Sequence, residues 1–507
     1  MGTGGSLSLA SSDNRSKLRI PPVRAWIIEH SLPKATRAVG TRWLLVCDRI
    51  AYNRNRLCTG PMRTVIISIL LFVFLVIQAA VPGFSRRPVY RLRPDDQAFL
   101  EDLEHRAFLY FWEQADSRTG LVRDRARTDG SALDSNHRDV ASIAATGFGL
   151  TALCIAADRH WMDSELIRGR VLTTLAFFSN RAPQYHGWFY HWMDAATGER
   201  VWQSEVSSID TALLLAGVLT VRGYYGADSE IGKLSASIYD RVDFRWMLNG
   251  DSALLSHGWK PESGFLKNRW DHYSEESILY LLAIGSPVHS ISPDSWYAWK
   301  RDPITYHGFS YIGTGPLFTH QYSHAWVDFR GLKERRPPRI DYFANSVTAT
   351  RAHRQFCIDL STEFRGYTES IWGITASDSV RGYVAWGGPP RHPDIDGTVV
   401  PCAAGGSLMF APDICLPALR SMHAQYGKRI YSHYGFADAF NPTTGWIDTD
   451  VIGIDLGITL LSAENLRRGA IWKWFSRNPE TSRALRLAGL RRQVRAELVL
   501  DKRAWSD

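Results

Sequence analysis

The chain has 507 residues, 45% of them hydrophobic, which is enough to bury a large core, and its formal net charge is +8. The charge is uneven, because residues 1–63 hold 11 Lys or Arg against 3 Asp or Glu, which leaves 48 of each in the remainder. A body without net charge lacks the basic surface that nucleic-acid binding requires, so we expect no nucleic-acid partner.

An uncharged and largely apolar segment begins directly after Arg63. Its length, its basic flanks and the small residues Ala79 and Ala80 predict either a signal peptide or an uncleaved membrane anchor over residues 64–84. Both interpretations place the rest of the chain outside the cytoplasmic membrane, facing the periplasm. Met62 is an alternative start, which would leave residues 1–61 of the basic arm untranslated.

Apolar residues recur at helical spacing through most of the remaining chain. They predict one helix after Asp95 and further helices over residues 140–156, 164–179, 206–225, 231–247, 278–284, 342–360, 408–426 and 454–466. No strand–helix alternation accompanies them, and no Gly-rich phosphate motif follows a strand, which argues against a nucleotide-binding fold. We predict an all-α toroid of paired helices, as one domain over residues 90–480, followed by a basic tail over residues 481–507.

The stretch from Trp270 to Glu276 places carboxylates and aromatic residues directly before an apolar helix that ends at Gly285. A carboxylate in the first turn of a buried helix borders the opening at the helix ends, which makes Glu275 a candidate for chemistry. The alternative is an acid that only stabilises the helix start through the helix macrodipole.

Four other acids stand beside polar or aromatic neighbours, and for each of them a helix cap is the alternative. These acids are Glu205, Asp210, Asp396 and Asp455. Hydrolysis of a glycosidic bond needs one carboxyl group to protonate the leaving oxygen and a second to activate water or attack the sugar. Acids at several helix starts of one toroid could converge on that geometry.

Aromatic residues make up 12% of the chain, including 19 Trp, and many fall in predicted loops. Flat aromatic faces beside acids and amides are typical of a sugar-binding cleft, although a loop Trp can equally well close the edge of a core.

Metal ligation is a weaker hypothesis. His320 and His324 have i, i+4 spacing, and Asp328 extends the series, but no HExxH motif accompanies them, so substrate contact or core packing is favoured. Four cysteines follow the apolar segment, and we predict four buried thiols, with a bridge between Cys402 and Cys415 as the alternative.

Several motifs together resemble the bacterial glycoamylase-like family, which includes endo-β-1,2-glucanases and the related domain of cyclic β-1,2-glucan synthases. The resemblance runs from about Phe99 to Asn465. Its segments are Phe108-Leu109-Tyr110-Phe111-Trp112, residues 120–125, residues 143–150, Ser208-Ile209-Asp210-Thr211-Ala212-Leu213-Leu214, residues 273–287 and Gly435-Phe436-Ala437-Asp438-Ala439-Phe440-Asn441.

The resemblance implies an (α/α)6 toroid of six helix pairs with a cleft at one end, and inverting hydrolysis of β-linked glucan without a metal or other cofactor. It implies Glu275 as the general acid and Asp455 as the base, with Glu205 as the second choice for either role. The residues that it implies for substrate binding are Asp124, Arg125, Asp210, Asp396, Trp188, Trp270, Tyr273, Trp326 and Trp372.

We therefore expect a monomeric glycoside hydrolase that acts on β-glucan, most concretely on β-1,2-glucan, and that touches a membrane only through its amino-terminal segment. Two alternatives stay open: a membrane-attached protein that binds or exports glucan without cutting it, and a transglycosylase or phosphorylase on the same fold. For the hydrolase we expect a bell-shaped dependence of kcat/KM on pH, on the acidic side of neutrality.

Overall fold

Helices make up most of the ordered structure in the computed structural model, which describes residues 90–492. In chain order they are α1 (Pro94–Glu113), α2 (Ile143–Arg159), α3 (Ser164–Asn180), α4 (Ser208–Tyr225), α5 (Glu230–Asp240), α6 (Ser277–Gly285), α7 (Tyr322–Trp326), α8 (Tyr342–Asp359), α9 (Pro401–Gly405), α10 (Pro412–Tyr426), α11 (Gly453–Arg467), α12 (Ala470–Phe475) and α13 (Pro479–Leu487). The predicted basic arm and the predicted signal or anchor segment lie outside the described residues. Among the residues that are described, no helix is long and apolar enough to cross a membrane.

Short antiparallel strands lie in the loops between these helices, and the sequence analysis predicted none of them. They are β1 (Arg125–Arg127), β2 (Val140–Ser142), β3 (Gln184–Tyr185), β4 (Trp188–Phe189), β5 (Trp192–Asp194), β6 (Val206–Ser207), β7 (Gly258–Lys260), β8 (Gly264–Phe265), β9 (Pro303–Tyr306), β10 (Phe309–Ile312), β11 (Leu332–Glu334), β12 (Tyr431–Ser432), β13 (Gly435–Phe436), β14 (Asp450–Ile452) and β15 (Leu490–Arg492). The pairs are β1–β14, β2–β5, β3–β4, β9–β10, β11–β15 and β12–β13, and β6–β7–β8 forms a three-stranded sheet. The all-α prediction is therefore correct for the main body and incomplete for the loops.

Two predicted helices begin later than the apolar pattern indicates. Both are capped by a serine, because the hydroxyl of Ser142 accepts a hydrogen bond from the backbone N–H of Ala145, and that of Ser207 accepts one from Asp210. The capping residue is extended, so the apolar residues before it belong to β2 and β6 instead of the helix. A third predicted helix, over residues 231–247, is shorter than predicted, because it ends at Asp240.

Four helices form the inner part of the molecule, since nearly every residue of α2, α4, α6 and α11 is buried. A helix that is apolar on all sides needs neighbours on all sides. In order around the interior, α11 packs on α2, α2 on α4, and α4 on α6, while α1, α3, α5 and α13 pack against them from outside.

Hydrogen bonds join the starts of these inner helices. The backbone N–H of Gly453, at the start of α11, donates to the carbonyl of Asp124, whose own N–H donates to the carbonyl of Val140 before α2. The N–H of Ile143 donates to the carbonyl of His191, and the N–H of His191 donates to the carbonyl of Glu205 before α4. The amino-terminal ends of α2, α4 and α11 therefore lie together.

The end of the described chain is part of the folded body. The predicted boundary at residue 480 falls inside α13, where Glu480 forms an ion pair with Arg222 of α4, and β15 then pairs with β11. The fold thus continues through Arg492, and the rest of the predicted basic tail, residues 493–507, lies outside the described residues.

We expect the contact between α2 and α4 to be intolerant of added volume. A methyl group at Gly147 would lie 2.2 Å from the carbonyl oxygen of Leu213, and one at Gly217 would lie 2.1 Å from the carbonyl oxygen of Gly147. Gly147→Ala should lower the free energy of unfolding by about 1–3 kcal/mol, because the methyl group would clash with backbone, which cannot move aside as a flexible side chain can.

Gly169→Ala is the matched control, because Gly169 is exposed on α3 and a methyl group there meets nothing within 4 Å. Urea denaturation should show a gain of about 0.5–1 kcal/mol for this variant. Equal stability of the two variants would contradict the close approach of α2 and α4.

Candidate active site

Carboxylates gather at the starts of the inner helices. Asp210 lies in the first turn of α4, Glu275 and Glu276 directly precede α6, and Asp455 lies in the first turn of α11. The positive end of the helix macrodipole favours negative charge at such positions. The sequence indicated that Asp210, Glu275 and Asp455 could converge in this way, and Glu276 is an addition from the structure.

Glu275 is partly buried at the start of α6, where its carbonyl accepts a hydrogen bond from the hydroxyl of Ser323 at 2.8 Å. Burial raises the pKa of Glu275 to about 7, and the nearby Asp210 contributes in the same direction. The side chain of Glu275 is therefore suited to carry a proton at a pH where an exposed glutamate is ionised.

Asp455 is 6% exposed and contacts two side chains, Asp438 and Cys402. Burial raises the pKa of Asp455 to about 6, although hydrogen bonds with these two side chains act in the opposite direction. The surroundings of Asp455 therefore include donors that favour its ionised form.

The hydroxyl of Tyr322, on α7, is buried within range of the charges of both carboxyl groups. Burial raises the pKa of its hydroxyl well above the usual value, and the negative charges of Asp455 and Glu275 raise it further. The charges of both carboxyl groups therefore reach the same buried phenol.

His191 lies between two of the other acids. Its Nδ1 is 3.2 Å from Oε1 of Glu205, its Nε2 is 3.5 Å from Oδ2 of Asp210, and its ring stacks on Trp192 with 3.9 Å between centroids. Burial would lower the pKa of His191, but Asp210, Glu205 and Asp124 together raise it.

The hydrogen bond with His191 lowers the pKa of Glu205 to about 2. A glutamate that stays ionised through the acidic range cannot donate a proton, so the acid role that the sequence left open for Glu205 is disfavoured.

Arg125 ties together the acids on the other side of the site. Its Nη1 donates a hydrogen bond to Oδ2 of Asp378 at 2.7 Å, its Nε lies 3.4 Å from Oδ2 of Asp124, and Asp450 lies 3.7 Å away. Asp124 and Arg125 were both predicted as substrate-binding residues, and the structure places Asp124 against the start of α11, where its carbonyl accepts a hydrogen bond from Gly453 at 2.7 Å.

Of the predicted aromatic residues, Trp270 and Tyr273 lie near the site but are largely covered. The ring of Trp270 stacks on His257 at 4.0 Å, and its Nε1 donates to the hydroxyl of Ser208 at the start of α4. Tyr273 is 3% exposed, and its hydroxyl is 3.3 Å from Nδ1 of His320.

The predicted substrate-binding role of Trp188, Trp326 and Trp372 is corrected, because all three side chains are fully buried in the core. Trp188 donates a hydrogen bond to the carbonyl of Asp243, and Trp326 donates one to the hydroxyl of Thr151. These rings have no face open to a sugar.

Asp396 and the histidine pair also serve local structure. Oδ1 of Asp396 accepts a hydrogen bond from the backbone N–H of Thr398 and so stabilises a turn. His320 and His324 are buried, and burial lowers the pKa of each to about 3, while Asp328 pairs with Arg330 at 2.7 Å. Nδ1 of His320 lies 3.3 Å from the hydroxyl of Tyr273, and Nε2 of His324 lies 3.2 Å from that of Ser346, so the three side chains contact different protein groups.

The four cysteines after residue 90 are free and buried, which confirms the prediction of four thiols and removes the bridge between Cys402 and Cys415.

Three aspartates that the sequence analysis did not nominate complete the site. Asp378, Asp438 and Asp448 are buried, and each offers an oxygen within 4.8 Å of the others. Such a cluster has the spacing of cation ligands, but one of its members, Asp378, is already bound to Arg125, and acidic groups alone do not define a metal site.

Two further residues were missed for different reasons. Tyr383 is 54% exposed, lies within range of the charges of Asp455 and Asp438, and follows a tight turn in the loop after Asp378. His191 stands in an aromatic loop that the sequence analysis described without nominating any of its polar residues. Only the motif around Asp438 carried a usable signal, because it was one of the segments of the family resemblance.

Glu276 is a second carboxyl group beside Glu275, and it is fully buried. Its Oε2 accepts hydrogen bonds from the backbone N–H and the hydroxyl of Ser274, at 2.6 and 2.7 Å, whereas its Oε1 has no partner. Burial raises the pKa of Glu276 to about 8.

We predict that Glu276→Gln reduces the pH dependence of stability. Because the pKa of Glu276 is higher in the folded than in the unfolded protein, its protonated form stabilises the fold at low pH, and this contribution is lost as the pH rises towards about 8. Glutamine keeps the acceptor for Ser274 and carries no charge. The free energy of unfolding of Glu276→Gln relative to wild type should therefore increase between pH 5 and 8, by about 4 kcal/mol at most.

Urea denaturation at several pH values measures this difference. A difference that does not change with pH would mean that Glu276 is already ionised in the folded protein.

Comparison with known proteins agrees with the helical architecture. Residues 267–479 match the family model described as "Putative glucoamylase". A solved Bacteroides caccae structure with the same description is 30% identical, has a TM-score of 0.72, and aligns over 78% of this chain and 100% of that one. The endo-β-1,2-glucanase of Chitinophaga pinensis, solved with sophorotriose and glucose, is 29% identical, with a TM-score of 0.72 and coverage of 78% of this chain and 98% of that one.

A relative with a described activity is the exo β-1,2-glucooligosaccharide sophorohydrolase of Parabacteroides distasonis, which is 27% identical over 428 residues, or 77% of this chain. This chain spans 57% of the length of that relative. The Bacteroides caccae protein, by contrast, is matched over its entire length at 30% identity. On this similarity, the chain belongs to the glycoamylase-like family.

Proposed function

We propose that this protein is a glycoside hydrolase that cleaves β-linked glucan, most concretely β-1,2-glucan, by an inverting mechanism with two carboxyl groups. The observation that carries the proposal is the different state of the two carboxyls at the site. Burial raises the pKa of both groups, but hydrogen bonds with Asp438 and Cys402 favour the ionised form of Asp455, whereas the charge of Asp210 favours the protonated form of Glu275.

Glu275 is the general acid of this proposal. Its partly buried position keeps the proton on the side chain near neutral pH, and it remains open enough to reach a ligand. It donates that proton to the glycosidic oxygen, so that the leaving sugar departs as an alcohol.

Asp455 is the general base. Its carboxylate takes a proton from a water molecule, which attacks the anomeric carbon from the face opposite the leaving group and inverts its configuration. The Cys402 thiol and the Asp438 side chain hold Asp455 at the start of α11, where the helix macrodipole also favours its ionised form.

The substrate class is supported by the relatives. The Chitinophaga pinensis protein is named an endo-β-1,2-glucanase, and the Parabacteroides distasonis protein is named for its release of sophorose units. These names differ in endo and exo action, so product lengths must decide this point for the present chain. We extend the proposal to an (α/α)6 arrangement of the helices and to an extracytoplasmic location, as the sequence predicts.

A phosphorylase would need a free cation to bind phosphate beside the sugar. The two arginines of the described site are both paired with acids: Arg125 with Asp378 at 2.7 Å and Arg127 with Asp450 at 2.5 Å. Neither arginine is therefore free to bind phosphate beside Asp455, which favours water as the acceptor there.

We predict that the purified protein releases oligosaccharides from linear β-1,2-glucan and that Glu275→Gln lowers kcat by about 100- to 10,000-fold, because glutamine cannot donate the proton. Asp228→Asn makes the same kind of change at an exposed loop position and should leave kcat unchanged. Chromatography of the products over time measures both the rate and the product lengths.

Binding of β-1,2-glucan without release of any product by the wild-type protein would favour the binding-protein alternative. Full activity of Glu275→Gln would remove Glu275 from the mechanism.

The dependence of kcat/KM on pH should be bell-shaped. Activity should rise through a pKa of about 6, as Asp455 ionises, and fall through a pKa of about 7, as Glu275 loses its proton. Initial rates on a soluble β-1,2-glucooligosaccharide across pH 4 to 9 measure the profile. A rate that stays constant through this range would be incompatible with the two-carboxyl mechanism.

A further inference from the structure

Asp438 occupies a fixed position beside the proposed base. It lies in the loop between β13 and β14, is 5% exposed, and its backbone N–H donates to the carbonyl of Asp450 at 3.0 Å. Its side chain contacts that of Asp455. The proposed mechanism uses Asp438 only as a neighbour of the base and assigns no protonation state to it.

The two oxygens of Asp438 have different surroundings. Oδ2 accepts a hydrogen bond from the backbone N–H of Asp378 at 3.0 Å. Oδ1 is buried and receives no hydrogen bond from any described group. A buried carboxylate oxygen without a donor is costly, and the simplest remedy is a proton on that oxygen.

Other acids surround Asp438 on several sides, and one of them, Asp378, is paired with Arg125. The titratable groups that face Asp438 are Asp378, Asp448, Asp455, Cys402 and Tyr383. Burial, together with the charges of Asp455, Asp448 and Asp378, raises the pKa of Asp438 well above its usual range. Two adjacent buried carboxyl groups cannot both be ionised at low cost, so one proton belongs to the pair.

The neighbours decide which member of the pair keeps that proton. Asp455 receives a hydrogen bond from the Cys402 thiol and lies in the first turn of α11, and both features favour its ionised form. Asp438 has no comparable donor at Oδ1 and faces two further aspartates, which disfavour its ionised form.

We propose that Asp438 is a neutral carboxylic acid that donates a hydrogen bond to the Asp455 carboxylate, and that it is a positioning residue for the base. Because this inference rests on the proposed function, it needs one test through activity and one that is independent of activity. Two substitutions at Asp438 should have different effects. Asparagine can still accept from Asp378 and donate to Asp455, whereas alanine can do neither.

Asp438→Asn should keep kcat/KM on β-1,2-glucan about 10- to 100-fold above that of Asp438→Ala and leave the rising limb of the pH profile in place. Asp438→Ala should lower kcat/KM by about 10- to 100-fold, since it removes a hydrogen bond to a charged group. It should also move the rising limb to higher pH, because Asp455 loses a donor that favours its ionised form. A purely structural role would lower activity without moving that limb.

Infrared spectroscopy provides the second test, at about pH 7, where ordinary carboxyl groups are ionised. The difference spectrum of wild type minus Asp438→Asn should contain the C=O band of a protonated carboxylic acid. The matched spectrum of wild type minus Asp228→Asn should lack it, because Asp228 is exposed.

The two readouts separate the possible failures. If the wild-type protein cuts no glucan, the proposed function fails, and the acid band alone decides the state of Asp438. If the wild-type protein is active but Asp438→Asn is as impaired as Asp438→Ala, or if the acid band is missing, then Asp438 acts as an anion, and the inference is overturned.

Discussion

The site depends on carboxyl groups that are withdrawn from water at the starts of buried helices. The fold brings the amino-terminal ends of α2, α4 and α11 together through backbone hydrogen bonds, and the start of α6 joins them through the contact of Trp270 with Ser208. Burial there raises the pKa of Glu275 and of Asp455. The charge of Asp210 adds to the increase for Glu275, whereas hydrogen bonds with Asp438 and Cys402 oppose it for Asp455. A carboxylate withdrawn from water is costly without a partner, so Glu205 pairs with His191 and Asp378 pairs with Arg125.

The sequence was sufficient for the helices and for several of the acids. Long apolar segments predicted the inner helices within a few residues, because a helix buried on all sides shows this in composition alone. Glu275 and Asp455 were identifiable because each stands at the start of such a segment, and the family resemblance then assigned their roles as expectations. The resemblance itself is confirmed by the 30% identical Bacteroides caccae protein.

The remainder depends on tertiary contacts that no local pattern carries. Trp188 and Trp326 stand in or beside loops in the sequence, yet each fills the core, because aromatic plugs and sugar platforms have the same local composition. Asp438 and His191 acquire their environments from segments that are distant in the chain. The short strands were missed because pairs of two or three residues have no detectable periodicity.

The central claim is that Glu275 and Asp455 act on opposite sides of the anomeric carbon. The most direct test is proton NMR of the first product formed from a β-1,2-glucan substrate, recorded before the anomers equilibrate. Inversion predicts that the new reducing end appears first as the α-anomer. Initial appearance of the β-anomer would show retention and would contradict the roles assigned to the two carboxyl groups.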